Sequence, residues 1–484
     1  MRAYLTPLAL VCLASPAFAA KGDSTNVPMP PTLVGNASEA VLSKPIAPAS
    51  GPAQTVVAGE RVALSWWHAF GSVALDTLVD RALLANNEIA VAKANLAQAH
   101  ELARAARGGA LPQADLGYNV VRQRLSRTLS SPLNDPAPTI FSLHTAQVSV
   151  SYAPDLFGGN AARVRSAKAA ERVAAERLAG QRNMIVANTI LAVIQNAMLE
   201  AQEKAARTAL NSNRELLDLT RRREALGAVG KADVAAQELA LASAETTLAG
   251  LERVRRTNLA VLSVLLGEDP GTSLPSLPAL ADLRLPDRLP LALPSDLLAQ
   301  RPDVAAAAAT LEGAGADVKV AIAARLPVLS LSATAGGTAQ TFSDMFRVGN
   351  PFWTLLGGLT APLFHGGALK HQQKAAEAAL EAAKASYRAT ALQSFADVSN
   401  ALTALATDGD ALDAAKRADD AASRNLDYAQ RRLRIGVGGT FDVYVANAAA
   451  QSARSQAISA IAMRLSDSVA LFTALGGNVQ AEPK

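Results

Sequence analysis

From Asn160 to Leu226 the chain has no proline and one interior glycine, Gly180; from Ala368 to Ile435 it again has no proline and one interior glycine, Gly409. Each run is roughly 67 residues and, as one α-helix rising 1.5 Å per residue, reaches about 100 Å, three times the width of a small domain. A helix of that length needs partners that span it. The sequence supplies them in pieces: Lys231 to Leu266 and Leu75 to Arg107 give roughly 36 and 33 helical residues, again about 100 Å together. Thr440 to Leu475 and Ser295 to Ala324 repeat the arrangement. One continuous helix beside two half-length helices stacked end to end predicts a hollow helical cylinder.

The plan is written twice. Gly227 and Gly436, Asp233 and Asp442, and Leu266-Gly267 and Leu475-Gly476 are each 209 positions apart. "GALPQADL" at Gly109 is answered by "ARLPVLSL" at Ala324, and "APDLFGG" by "APLFHGG", each of the latter pair standing just before a long helix. Repetition at a fixed interval points to an internal duplication.

Each copy carries two stretches of period two. Ala114, Leu116, Tyr118 and Val120 alternate with Gln113, Asp115, Gly117 and Asn119; Ala146, Val148, Val150 and Tyr152 alternate with Thr145, Gln147, Ser149 and Ser151. In the second copy Leu329, Leu331, Ala333 and Ala335 form one apolar row, and Trp353, Leu355, Leu359 and Ala361 a looser one. A soluble half-buried sheet would show the same alternation. The polar row is small and uncharged apart from Asp115, and Tyr118, Tyr152, Phe352 and Trp353 stand where an interfacial girdle would form, which favours membrane strands. Four strands cannot close a barrel, and an open edge in lipid leaves backbone groups unpaired, so the membrane reading requires an oligomer. Pro154 and Pro362 stop the ladder, and Gly158, Gly159, Gly366 and Gly367 turn the chain from a tilted strand into the long helix.

The first residues, "MRAYLTPLALVCLASPAFAA", combine Arg2, an apolar stretch and Ala17-Phe18-Ala19, the pattern of an export signal cleaved after Ala19. The single cysteine, Cys12, lies inside it; Val11 is a poor residue to precede a lipidated cysteine. No run approaches 18 consecutive apolar residues, so membrane residence must come from strands. A net charge of +4 over 484 residues, with 4% aromatics, argues against nucleic acid as a partner. The five histidines lack metal-ligand spacing, "GAGADV" at Gly313 is a phosphate-loop fragment within a helical stretch, and no catalytic, cofactor or metal site emerges.

With these features in hand, the chain resembles the TolC-like outer-membrane efflux factors, the outer-membrane channels of tripartite drug-efflux systems. The likeness rests on "SWWHAF", "LDTLVDRALLANNEIAVAKANLAQA", "APDLFGG", "LPSDLLAQRPDV", "RRLRIGVGGTFDV" and "LFTALGG", in this order from Ser65 to Gly477. It implies an α+β membrane protein: a homotrimer with a twelve-stranded barrel in the outer membrane, four strands per chain, continuing into a periplasmic α-helical barrel. The implied function is a passive conduit for drugs or other small solutes, fed by an inner-membrane pump through a periplasmic adaptor. The outer-membrane part of a one-step protein secretion system is the alternative; a soluble periplasmic helical scaffold is the alternative of another class. The expected division is a signal peptide over 1–19, an extended segment over 20–64, one repeat over 65–267 with strands near 112–125 and 143–154, a proline-rich linker over 268–294 forming part of a belt, a second repeat over 295–477 with strands near 327–340 and 351–362, and a tail over 478–484. Two departures stand out: no lipidated cysteine at the mature start, and bare alanine from Ala305 to Ala309 where relatives carry an acid.

The far end of the tunnel holds the candidate site. The resemblance makes Asp442 part of an acidic ring narrowing the opening, with Val445 where some relatives have a second carboxylate. A helix cap is the equally simple reading of Asp442, and the preferred one for Asp233 in the first copy. Arg431 and Arg432, like Arg221 to Arg223, suit the negative end of a helix; the resemblance adds a closed-state tie to a neighbouring helix. Gly227, Gly230, Gly436 and Gly439 allow tight reversals, and in the family these tips meet the adaptor.

Overall fold

The computed structural model describes residues 54–59, 62–124, 140–291 and 298–477. The export signal with Cys12, most of the extended N-terminal segment, nearly all of the loop over 126–141, the end of the proline-rich linker and the tail lie outside the described residues.

The two proline-free runs form single helices of 67 residues, α3 (Gly159–Ala225) and α6 (Ala368–Arg434). Each turns back into a helix of 35 residues, α4 (Lys231–Leu265) and α7 (Thr440–Ala474). The upper half of each return column is a 22-residue helix, α2 (Asn87–Gly108) and α5 (Pro302–Ala323). One expectation needs correcting here. The stretch from Leu75 to Arg107 is broken at Asn86 into α1 (Val73–Ala85) and α2, and the matching stretch is broken at Arg301, between helical residues 298–300 and α5, while 295–297 lie outside the described residues. The break has a local cause: Asn86 is extended, and its side-chain oxygen accepts from the amides of Glu88 and Ile89, capping α2.

Packing sets the helices side by side: α3 contacts α2, α4, α5 and α7, α6 packs on α5 and α7, and near the tips α4 also touches α7, where Gln237 donates to the Thr440 carbonyl at 3.4 Å. Long apolar stretches serve this packing. Helices α3 and α7 are long and apolar enough to cross a membrane by length and composition, yet 61% and 56% of their apolar windows are buried inside the fold.

Four antiparallel strands, β2 (Gln113–Arg124), β3 (Ile140–Tyr152), β5 (Val328–Ala339) and β6 (Pro351–Thr360), form a sheet in the order β2-β3-β5-β6. A second, parallel pair joins β1 (Thr55–Ala58) to β4 (Arg288–Leu291) at the middle of the helical layer. This belt, with Trp66, Trp67, Phe70 and α1, buries the main core against α3, α6 and α7; Trp66 stacks on Phe472 with ring centroids 5.1 Å apart. "GAGADV" lies in α5, where a side chain at buried Gly313 would meet Ala169 of α3 at 3.4 Å; the glycine serves close helix packing, and no phosphate loop forms.

Candidate channel wall and helix tips

Side chains alternate along a strand, so a one-residue slip would scramble a two-faced sheet. The register keeps the faces in phase. Leu116 opposes Val148, Val148 opposes Ala335 and Ala335 opposes Trp353, while Asp115, Ser149, Thr334 and Thr354 line up on the other face. Thr145 and Thr338 meet through their hydroxyls at 3.1 Å on that polar face. The apolar face stands bare, with Leu116 82% and Trp353 78% exposed. A band of this kind suits lipid on one side and water on the other.

The ladder stops at Tyr152 and Thr360, two residues before Pro154 and Pro362. At the first corner Asp155 accepts from the amides of Asn160 and Ala161 at 3.1 and 2.8 Å, fixing the start of α3. Gly158, Gly366 and Gly367 take positive φ, and Gly159 lies where a side chain would run into Ala323 of α5.

At the opposite end both long helices finish in the same motif. Gly227 donates to the Glu224 carbonyl and Ala228 to the Arg223 carbonyl; Gly436 and Val437 repeat this with Leu433 and Arg432. With φ of 72° at Gly227 and 78° at Gly436, these are Schellman ends, which favour glycine because a side chain crowds the left-handed backbone. Gly230 and Gly439 then precede the return helices, and the carboxylates of Asp233 and Asp442 accept from their amides at 3.0 and 3.2 Å. Asp442 therefore makes a cap contact. Arg431 pairs with Asp427 of its own helix at 2.8 Å, and Arg432 donates to the Val437 carbonyl at 3.3 Å; within one chain neither reaches another helix. Arg221 does, meeting Glu238 of α4 at 2.7 Å. Buried amides link the two halves above the tips: Asn447 donates to Asn213 at 2.8 Å, and Gln202 to Ser459 at 3.0 Å. Leu226, Ile435, Val437 and Phe441 are exposed at the tips.

Two splices complete the wall. Where α4 meets the α1–α2 break, the Asn86 amide donates to the terminal Leu265 carbonyl at 2.9 Å. Where α7 meets α5, Arg301 does the same for Ala474 at 2.9 Å, and its guanidinium also grips Asp303 at 2.7 and 3.0 Å and Asp397 of α6 at 2.9 Å. Burial alone would raise Asp303; the hydrogen bonds and charge of Arg301 outweigh it and hold the carboxyl below its ordinary value. Both splices lie at one height on α3, where Gln181 meets Glu88, Gly180 faces Pro302 and Asn183 donates to the Gly476 carbonyl. At this height a hollow of about 1110 Å³ runs across α2, α3, α5, α6 and α7, with Met184, Leu191 and Asn400 in its lining. Residues from every helix column border it, as they would on the inner wall of a tube. Sequence reasoning assigned no role to Arg301, although an arginine immediately before a helix-starting proline and an aspartate was the available signal.

These features agree with what is known of similar proteins. The family model described as outer membrane efflux protein matches residues 78–268 and 293–477. The pyoverdine export outer membrane protein OpmQ of Pseudomonas putida is 34% identical over 427 residues, covering 86% of this chain and 88% of that protein. The toluene efflux pump outer membrane protein TtgC of Pseudomonas putida is 30% identical over 453 residues, covering 90% and 89%. The crystal structure of the outer membrane protein VceC from Vibrio cholerae superposes with a TM-score of 0.79 at 25% identity, covering 87% of this chain and all of that one. The chain belongs to the outer membrane efflux protein family, and is an efflux channel of the outer membrane whose helices extend into the periplasm.

Proposed function

We propose that the channel is a homotrimer whose twelve strands close one barrel in the outer membrane above a helical tunnel, each chain contributing two copies of one repeat. The observation that carries this reading is a shared pair of open edges. The sheet ends in β2 and β6, and the helical layer ends in the α2–α4 column and in α6, the helices that precede and follow those strands. Joining β6 of one chain to β2 of the next satisfies both layers at once and leaves no edge in lipid. Light scattering on the detergent-extracted protein, corrected for bound detergent, should give the mass of three chains; a monomer would refute closure.

The channel passes drugs or other small organic solutes, received from an inner-membrane pump through a periplasmic adaptor. Relatives named for pyoverdine export and for toluene efflux support small-solute cargo over secreted protein. The exposed apolar residues beside Gly227, Gly230, Gly436 and Gly439 support the tips as the adaptor contact. Asp442 of three chains forms the narrowing at the tunnel end, where its cap bond leaves one carboxylate oxygen to face the axis. Arg431 and Arg432 stabilise the closed state by reaching the neighbouring chain. The export signal ends after Ala19, and the belt joins β1 of the extended N-terminal segment to β4 of the proline-rich linker.

A further inference from the structure

The lipid-facing row of β2 does not stay apolar to its end. Leu116, Tyr118 and Val120 are followed at the same parity by Arg122 and Arg124, and the unbroken pairing of β2 with β3 keeps all five on one face. Both arginines are exposed. The long helices leave these strands at the opposite end and run into the periplasm, so Arg122 and Arg124 stand at the outer rim. From Ala114 to Arg122 the strand rises about 27 Å, or about 20 Å of height at a 40° tilt, most of an apolar band about 25 Å tall. Opposite Val120, His144 shares a hydrogen bond with the Tyr118 hydroxyl at 2.8 Å, and rings with a polar tip of this kind mark a membrane–water boundary.

A second feature lies on the same face. After β5 the chain folds back over the sheet: Phe342 packs edge-on against Tyr118 with ring centroids 5.7 Å apart, and a side chain at Gly337, opposite Ala146 in the lipid-facing row, would run into the Met345 backbone. Met345 is wholly buried. The turn holds its own shape, and its acid is already matched: Thr341 donates to Asp344 at 2.6 Å, Arg347 pairs with Asp344 at 3.0 Å, and the Asn350 amide group donates to the Asp344 carbonyl at 2.6 Å. Phe342, Phe346 and Val348 nevertheless stay exposed.

We propose that this rim binds the phosphorylated glycolipid of the outer leaflet, lipid A: Arg122 and Arg124 take its glucosamine phosphates, and Phe342, Phe346 and Val348 lie against its acyl chains. The apolar turn continues the lipid-facing band of the sheet, so lipid is the cover that both share. A charge on that face is costly at mid-bilayer and tolerated at its edge, the level of the headgroups. There a guanidinium fork can hold two oxygens of one phosphate. The outer leaflet presents this glycolipid at that level, whereas the phospholipid of the periplasmic leaflet meets the other end of the strands.

The test titrates the full-length protein in detergent, stripped of native lipid and of divalent cations, with bisphosphorylated lipid A, monophosphoryl lipid A or phosphatidylglycerol, and counts bound lipid by native mass spectrometry. The wild type should hold bisphosphorylated lipid A at least tenfold more tightly than phosphatidylglycerol. The double variant Arg122→Gln, Arg124→Gln should bind it at least tenfold more weakly and lose the preference for two phosphates over one. Phe346→Ser should weaken lipid A binding and keep that preference. Equal binding of lipid A by the wild type and the double variant, or phosphatidylglycerol held as tightly as lipid A, overturns the proposal. Arg124→Gln alone carries the comparison if the double variant does not assemble, with a loss of at least threefold expected.

Discussion

Replacing Arg301 by alanine removes the donor that closes the second splice, and the size of the effect follows from what stays behind. Breaking a buried ion pair by deleting one partner costs about 3–5 kcal/mol, because the other charge is left without compensation. Here the arginine side chain is 11% exposed while Asp303 and Asp397 are 48% and 32% exposed, so water recovers part of the loss for both carboxylates. The Ala474 carbonyl, the third partner, then depends on whatever water enters. The expected loss is about 3 kcal/mol, at the lower end of the buried-pair range. Unfolding in a membrane-extracted oligomer is best read as a rate. If the splice is already open at the unfolding barrier, the rate rises by about a hundredfold. The assay is loss of helical circular dichroism after a jump into guanidinium, on protein in detergent. Arg301→Lys keeps the charge without the planar fork and should fall between the two. The pH dependence has a defined sign. A carboxyl held below its ordinary 3.8, as Asp303 is, contributes stability above that value and loses it as pH falls through the lower folded one. The gap between wild type and Arg301→Ala should therefore stay constant from pH 5 to 9 and narrow only in stronger acid. A rate change under threefold, or a gap that closes near neutrality, would show that the contacts of Arg301 do not hold the splice.

Gly267→Ala should destabilise more than Gly476→Ala in the same assay. Both substitutions add left-handed strain of about 1–2 kcal/mol, but the first runs Cβ into the Ala85 carbonyl group, whereas the second meets the Gln300 carbonyl at 3.0 Å. Leu355→Arg should cut the amount assembled in outer membranes, since a charge at mid-bilayer costs about 2–4 kcal/mol on the lipid face. Its neighbour Thr354→Arg should assemble normally and change conductance instead; equal assembly of the two would reverse the assignment of faces. Asp442→Ala costs only about 0.5–1 kcal/mol as a lost cap, yet should raise single-channel conductance in planar bilayers. Unchanged conductance would leave Asp442 as a cap alone.

The parts of this fold that were legible in the sequence are those set by local rules. The absence of proline over α3 and α6 and the glycine-marked ends at Gly227 and Gly436 announce long helices and tight reversals without reference to any other segment. Alternation marks the strands, weakest in β6, where Gly357 interrupts the apolar row and only the pairing of Leu355 with Ala333 and Trp353 with Ala335 restores it. What stayed hidden depends on contacts between distant residues. The β1–β4 pair is four residues long, too short to carry a pattern, and joins Thr55 to Arg288. Asn86 reads as an ordinary polar residue within a helical stretch until the Leu265 carbonyl arrives 179 positions later to take its amide. The hydrogen bond from Arg464 to Gln54 likewise needs α7 already packed against the belt. At the tips, Asp442 shows the opposite difficulty: its cap bond is local and readable, while any ring depends on copies of the chain.

The two splices carry a mechanical meaning. Columns α2–α4 and α5–α7 are cut at a single level, whereas α3 and α6 run through that level unbroken. A wall of alternately jointed and continuous rods resists stretching through the continuous ones and concentrates bending at the joints. The Trp66–Phe70 turn and helix α1 sit over this level like a collar around a coupling. Twisting of the lower arm can thus be absorbed there, and the strands above remain in register while the tips move.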